Sequence, residues 1–320
     1  MTTERVPSNS VQSNVGDEDI DARYDGFHHG AIADLRSEVA SIQTLDPDFC
    51  VFIEENGRTY HAYKPGCLLL AQFPGVGRIL DVGTGTGIWA IEFARQYPAA
   101  QVIGVDLSPM QPQRQFLPTN VQFQVADLED PWTFPNRFDV VHCRSVFPCL
   151  NDPAGLIKQA HDALLPGGIF EMQDMSFRFN YDEGGTYAFG TALADWAGML
   201  RFTARRAGKD WTCAERYKQD MQNAGFQDVQ ETVYRWPING WPTDAAERRR
   251  GRISQENLLS ALESLSYAPM TRYLNMSKEE VDAILIDVEK EINDTKIPAY
   301  LPIYVVHGRK PCSDPGVGGV

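Results

Sequence analysis

Apolar residues fall along this chain in two rhythms, and each predicts a different element. Arg78 to Val82 is a short apolar run ending at glycines and Gln101 to Asp106 another buried strand, and further strands are suggested at Val121 to Val125, Phe138 to Cys143 and Gly168 to Met172. Between these, Ile88 to Tyr97 and Ala154 to Leu164 repeat apolar residues at three- and four-residue spacing, which gathers them on one helix face. The second helix is predicted to close at Leu165-Pro166-Gly167-Gly168, since proline cannot continue a helix and glycine accepts a left-handed turn. Strand and helix alternate, so the economical architecture is α/β, a parallel sheet with helices on both faces.

The flanks follow other patterns. The first twenty residues carry few large apolar side chains and are expected to be mobile. Tyr24, Phe27, Ile32, Leu35, Val39 and Ile42 then recur at helical spacing and predict a short cap. Phe49 to Phe52 and Thr59 to Tyr63 flank Asn56-Gly57, a pair that turns hairpins because both residues tolerate positive φ. After Asp174 the alternation loosens, with helices predicted over Tyr187 to Ala207, Cys213 to Ala224, Asn257 to Leu265 and Lys278 to Ile292, and strands over Val229 to Tyr234 and Tyr300 to Gly308. Two helices between those strands imply an inserted lid. The resulting division is a tail over 1–20, a helical cap and hairpin over 21–75, the core over 76–176, a helical lid with the sixth strand over 177–298, the last strand over 299–311 and a tail over 312–320.

Composition narrows the function classes. A chain of 320 residues holds one large domain with decorations or two modest ones, and its formal charge of −14 disfavours nucleic acid, whose phosphates need a basic face. Arg248, Arg249, Arg250 and Arg252 are the one basic cluster, either a contact for an anionic substrate or a solvated loop beside a helix. Six cysteines are scattered without a CxxC pair, and histidines do not cluster at zinc-ligand spacing, so reduced thiols and no metal are expected. With a polar, acidic N-terminus and no apolar run of membrane-spanning length, the expectation is a cytoplasmic or nuclear enzyme without a membrane partner.

The chemistry is concentrated where the first core strand meets its helix. Asp81-Val82-Gly83-Thr84-Gly85-Thr86-Gly87 has the form D-x-G-x-G-x-G, and glycines there let the backbone bend and approach a ligand closely. A dinucleotide fingerprint needs a third glycine where this chain has Ile88, so pyrophosphate is disfavoured. The form suits S-adenosylmethionine (SAM), which presents a carboxylate and an amino group but no phosphate. Asp106, followed by Leu107, ends the second core strand, where a carboxylate can accept from both ribose hydroxyls or merely cap a turn. Asp127 and Leu128, past the third, can take the adenine amine and cover its ring, or be plain loop residues. Arg144 ends the fourth at the sheet's carboxyl edge, either placing carbonyls for the methionine ammonium or serving as an ion-pair partner.

The runs RILDVGTGTGIWAIEFARQYPAAQVIGVDLSPMQP, NVQFQVADLEDPWTFPNRFDVVHCRSVF and LLPGGIFEMQD resemble the class I methyltransferases of fungal secondary metabolism, the LaeA-like group, with a weaker likeness to about residue 311. The resemblance implies a Rossmann-like, seven-stranded, mostly parallel sheet with an antiparallel last strand, helical caps from both termini and SAM at the carboxyl ends of the first four strands. By position it sets Asp81, Gly83, Gly85, Gly87, Asp106, Asp127 and Leu128 around the cofactor, with Thr84 and Leu107 beside them. S-adenosylhomocysteine would be the product.

Methyl transfer is an in-line displacement that gains chiefly from alignment, and only a hydroxyl acceptor benefits from a base. His28 and His29 are candidates for that base, or cap a helix; Asp174 is a third, or orients a cap residue. Phe147, Phe177 and Trp211 are candidate acceptor-pocket residues within an aromatic set that otherwise reads as core. The leading expectation is O-methylation of a hydroxyl or carboxyl group on a small secondary metabolite, by a monomer or homodimer. A LaeA-like regulator, and a SAM-binding enzyme catalysing a non-methylating cyclisation, are the alternatives.

Overall fold

The computed structural model describes residues 52–55, 58–61, 77–182 and 190–312; the cap predicted over 21–43, the N-terminal tail and His28 and His29 lie outside them. β1 (Phe52–Glu55) and β2 (Arg58–His61) pair antiparallel with Glu55 opposite Arg58.

The core runs β3 (Arg78–Val82), α1 (Ile88–Gln96), β4 (Gln101–Asp106), β5 (Val121–Val125), β6 (Phe138–Arg144), α2 (Pro153–Ala163) and β7 (Leu164–Met175). It continues through β8 (Asn180–Tyr181), α3 (Ala192–Arg206), α4 (Tyr217–Asn223), β9 (Gln227–Pro237), α5 (Ala245–Tyr273), α6 (Lys278–Asn293) and β10 (Ala299–Arg309). Spatially the strands lie β5-β4-β3-β6-β7-β10, with β9 on the far side of β10. β3 to β7 are parallel, while β10 runs antiparallel to both β7 and β9. The chain order reverses between β3 and β6, and in open α/β sheets ligands bind at the carboxyl ends of strands beside such a reversal.

Alternation along the strands sorts the two faces. Leu80, Val82, Val141, Cys143, Phe170 and Met172 join one core with Trp196 and Tyr217, and Ile79, Val102 and Val140 pack with Ala90, Phe93 and Ala94 of α1 in another. Each large apolar side chain so buried contributes about 1.5–3 kcal/mol.

Four features depart from the sequence-based expectation. The sheet has eight strands rather than seven: Met175 of β7 opposes Ile303, and two-residue β8 resumes the same lane with Asn180 opposite Tyr300. β7 starts at Leu164 instead of Gly168, because Gly167 N–H donates to Lys310 O, Lys310 N–H to Gly168 O and Arg309 Nη1 to Gly167 O, so the presumed turn is held by the end of β10. The stretch from Cys213 divides into a 3-10 turn, Cys213–Arg216, and α4. α5 is 29 residues long and takes in the arginine cluster; Asp244 starts it by accepting from the Ala246 and Glu247 N–H groups, a cap that offsets weak apolar periodicity.

The two helices predicted between the sixth and last strands are α5 and α6, which lie between β9 and β10 in the chain. Glu291 of α6 accepts from the Ala192 and Leu193 N–H groups at 2.9 and 2.8 Å, and so caps α3. Trp196 Nε1 donates to Ser266 Oγ of α5 at 2.8 Å. Among the described residues no helix is long and apolar enough to cross a membrane.

Candidate active site

The glycine-rich turn is fastened before it reaches α1. Gly83 N–H and Thr84 N–H both donate to Val105 O, at 2.9 and 3.0 Å, and Gly87 N–H to Thr84 O at 2.8 Å. The three glycines have φ of 70°, 54° and 79°, but they are glycine for different reasons. A Cβ on Gly83 would lie 2.4 Å from Val146 Cγ1 and one on Gly87 2.3 Å from Phe123 Cζ, whereas around Gly85 nothing lies within 4 Å. Gly83 and Gly87 make room for protein; Gly85 leaves room for a ligand.

Asp106 closes on that opening from the end of β4. Its Oδ2 accepts from Gly85 N–H at 2.8 Å and its Oδ1 from Ser108 N–H at 3.0 Å, which leaves each oxygen a lone pair. Gly85 O accepts from Gln111 Nε2 at 2.6 Å. Leu107 is exposed and Leu128 buried, and the half-buried Asp127 accepts from Glu129 N–H at 3.0 Å. An open backbone turn, an adjacent acid with free lone pairs and apolar side chains beside it fit an adenosyl group.

Asp81 and Thr84 serve the turn from within. Asp81 is 2% exposed; Thr84 Oγ1 donates to its Oδ2 at 2.6 Å, and His142 Nδ1–H to its Oδ1 at 2.7 Å. The His142 ring stacks on Trp89 at 3.8 Å between centroids. Arg144, half-buried, ends β6 near Glu92 of α1, whose carboxyl burial raises and the charges of Arg144 and Arg95 partly lower. The next residue, Ser145, holds φ at +57°.

Asp174 lies under the loop that follows β6. It is 2% exposed, accepts from Tyr217 O–H at 2.8 Å and from Phe147 N–H at 3.4 Å. Burial pushes its carboxyl up to about 7 against the pull of those donors. Tyr217 is raised well above the phenol range, and Cys213, 3.4 Å from the Tyr217 hydroxyl, is pushed up to about 12, both by burial first. Phe147 and Phe177 each meet Trp211 edge to face, at 6.0 and 5.3 Å, a geometry favoured by ring quadrupoles. Sequence motifs give no role to Gln111 or Tyr217: Gln111 lies near the end of the run that carries the family resemblance but matches no ligand-binding motif, and Tyr217 occupies an apolar position of its helix.

An open sheet reversing beside a D-x-G-x-G-x-G turn, with an acid at the end of the next strand, has the form of a nucleotide-type ligand site at a switch point, and the arrangement resembles that of class I methyltransferases. A family described as a methyltransferase domain matches residues 56–231. A secondary metabolism regulator of Cochliobolus heterostrophus is 33% identical over 292 residues, covering 80% of this chain and 94% of that one. The methyltransferase pytC of Aspergillus terreus is 32% identical over 246 residues, covering 76% and 75%. Among solved structures, Haemonchus contortus phosphoethanolamine N-methyltransferase 2 in complex with S-adenosyl-L-methionine shares the fold at a TM-score of 0.53 and 18% identity, over 88% of this chain and 61% of that one. The chain belongs to the methyltransferase-domain family and to its LaeA-like group, and is a SAM-dependent methyltransferase.

Proposed function

We propose that the acceptor is a hydroxyl or carboxyl oxygen of a small, aromatic or polyketide-like secondary metabolite. One observation carries this reading: Trp211, in the aromatic wall with Phe147 and Phe177, has a buried indole N–H with no hydrogen-bond partner. A buried donor left unpaired costs on the order of 1–3 kcal/mol, and an oxygen of a flat, apolar acceptor would pair it. The net charge of −14 supports a small molecule over a nucleic acid.

SAM, when bound, would supply an electrophilic methyl group on its sulfonium, the new O–C bond to the acceptor forming as the C–S bond breaks and S-adenosylhomocysteine leaves. In this reading Gly85, Asp106, Leu107, Asp127 and Leu128 hold the cofactor, while Asp81, Gly83, Thr84 and Gly87 keep the turn in shape and Arg144 lies at the methionine end. Asp174 positions the Ser145–Phe147 loop through Phe147 N–H, and for a hydroxyl acceptor His28 or His29 takes the proton.

The test is incubation with SAM and a panel of phenolic and carboxylic metabolites, read by mass for one added methylene and for S-adenosylhomocysteine. Trp211→Phe should raise KM for the acceptor and leave affinity for S-adenosylhomocysteine unchanged. Methylation confined to a protein side chain would instead favour the second reading, regulation through a macromolecular target, which is motivated by the Cochliobolus relative.

A further inference from the structure

We propose that Gln111 is a positioning residue for the cofactor turn, acting through the peptide of Gly85. Its carboxamide Nε2 donates to Gly85 O at 2.6 Å and to Ser108 O at 3.0 Å. Asp106 Oδ2 holds the N–H of the same glycine. Gly85 is therefore gripped at both polar atoms by the segment that follows β4, at the point of the turn with open space where a Cβ would lie.

Glycine needs such a grip. With φ at +54° and no side chain to pack, it has more backbone freedom than any other residue, and a peptide that rotates cannot present a fixed edge to a ligand. The bridge to Ser108 O also ties the turn to the loop carrying Asp106, so both cofactor-facing groups move as one body.

The inference rests on the placement of SAM at Gly85 and Asp106. It is tested by calorimetric titration of the full chain with S-adenosylhomocysteine, beside thermal melts of the ligand-free proteins. Gln111→Ala deletes the donor; Gln111→Glu keeps the length but offers no N–H. Both should weaken binding about five- to tenfold while leaving the ligand-free melting temperature within about 2 °C of the parent, given the ordinary shift per kcal/mol. Unchanged affinity in both variants, with the parent binding normally, overturns the role of Gln111 alone. Weakening that only follows a fall in melting temperature also overturns it, since any structural residue would do the same. A parent chain that fails to bind S-adenosylhomocysteine sinks the cofactor placement instead.

Discussion

Tyr217 of α4 donates its phenolic O–H to Asp174 Oδ2 of β7 at 2.8 Å, joining residues 43 apart in sequence inside the core. The carboxyl titrates near 7 because burial outweighs that donor. Folding thus favours its protonated form, and the stability linked to it is full below the ordinary carboxylate range and falls as pH rises to about 7. Between pH 5 and pH 8 the parent chain should lose on the order of 2 kcal/mol more stability than Asp174→Asn. Urea unfolding at the two pH values checks this, and equal losses in the two proteins would show that Asp174 does not titrate there.

The glycines of the turn should separate stability from binding. Gly87→Ala drives a Cβ to 2.3 Å from the Phe123 ring and should cost about 2–4 kcal/mol by overpacking and left-handed strain. Gly85→Ala meets no protein atom within 4 Å, so it should cost only about 1 kcal/mol of stability yet weaken S-adenosylhomocysteine binding at least about tenfold. Melts and titrations on the two variants decide it; the reverse pattern would place the ligand elsewhere.

Asp106→Ala removes the partner of Gly85 N–H as well as the proposed ribose acceptor, so binding should fall by roughly 30- to 300-fold, about the equivalent of one lost hydrogen bond to a charged group. Unchanged affinity by titration would refute the site assignment.

How much was legible differs by element. The core strands are legible because their apolar runs are too short for helices and alternate with helical stretches, the first of them ending at glycines. The start of β7 could not: Pro166-Gly167-Gly168 reads locally as a turn, and only Lys310 and Arg309 make it strand. Periodicity shows only about a third of α5, because its first turns are charged and the Asp244 cap and packing, not periodicity, define its start. The partners of Gln111 and Tyr217 are not legible, since they are set by the meeting of loop and strand, not by spacing along the chain.

By itself the sequence determined the class of fold and the place of the cofactor turn, because alternating periodicity and a local run of glycines are properties of neighbouring residues. The tertiary structure decided which acid faces which way. Asp81 opens the motif, yet strand alternation sets it opposite His142, 61 residues on, where both its oxygens are engaged. Asp106 reaches Gly85 across 21 residues, at the strand end beside the open space of that glycine. Each carboxylate accepts one donor on each oxygen; what separates them is placement, between two strands or at a strand's end, and that placement comes when parallel strands take their register.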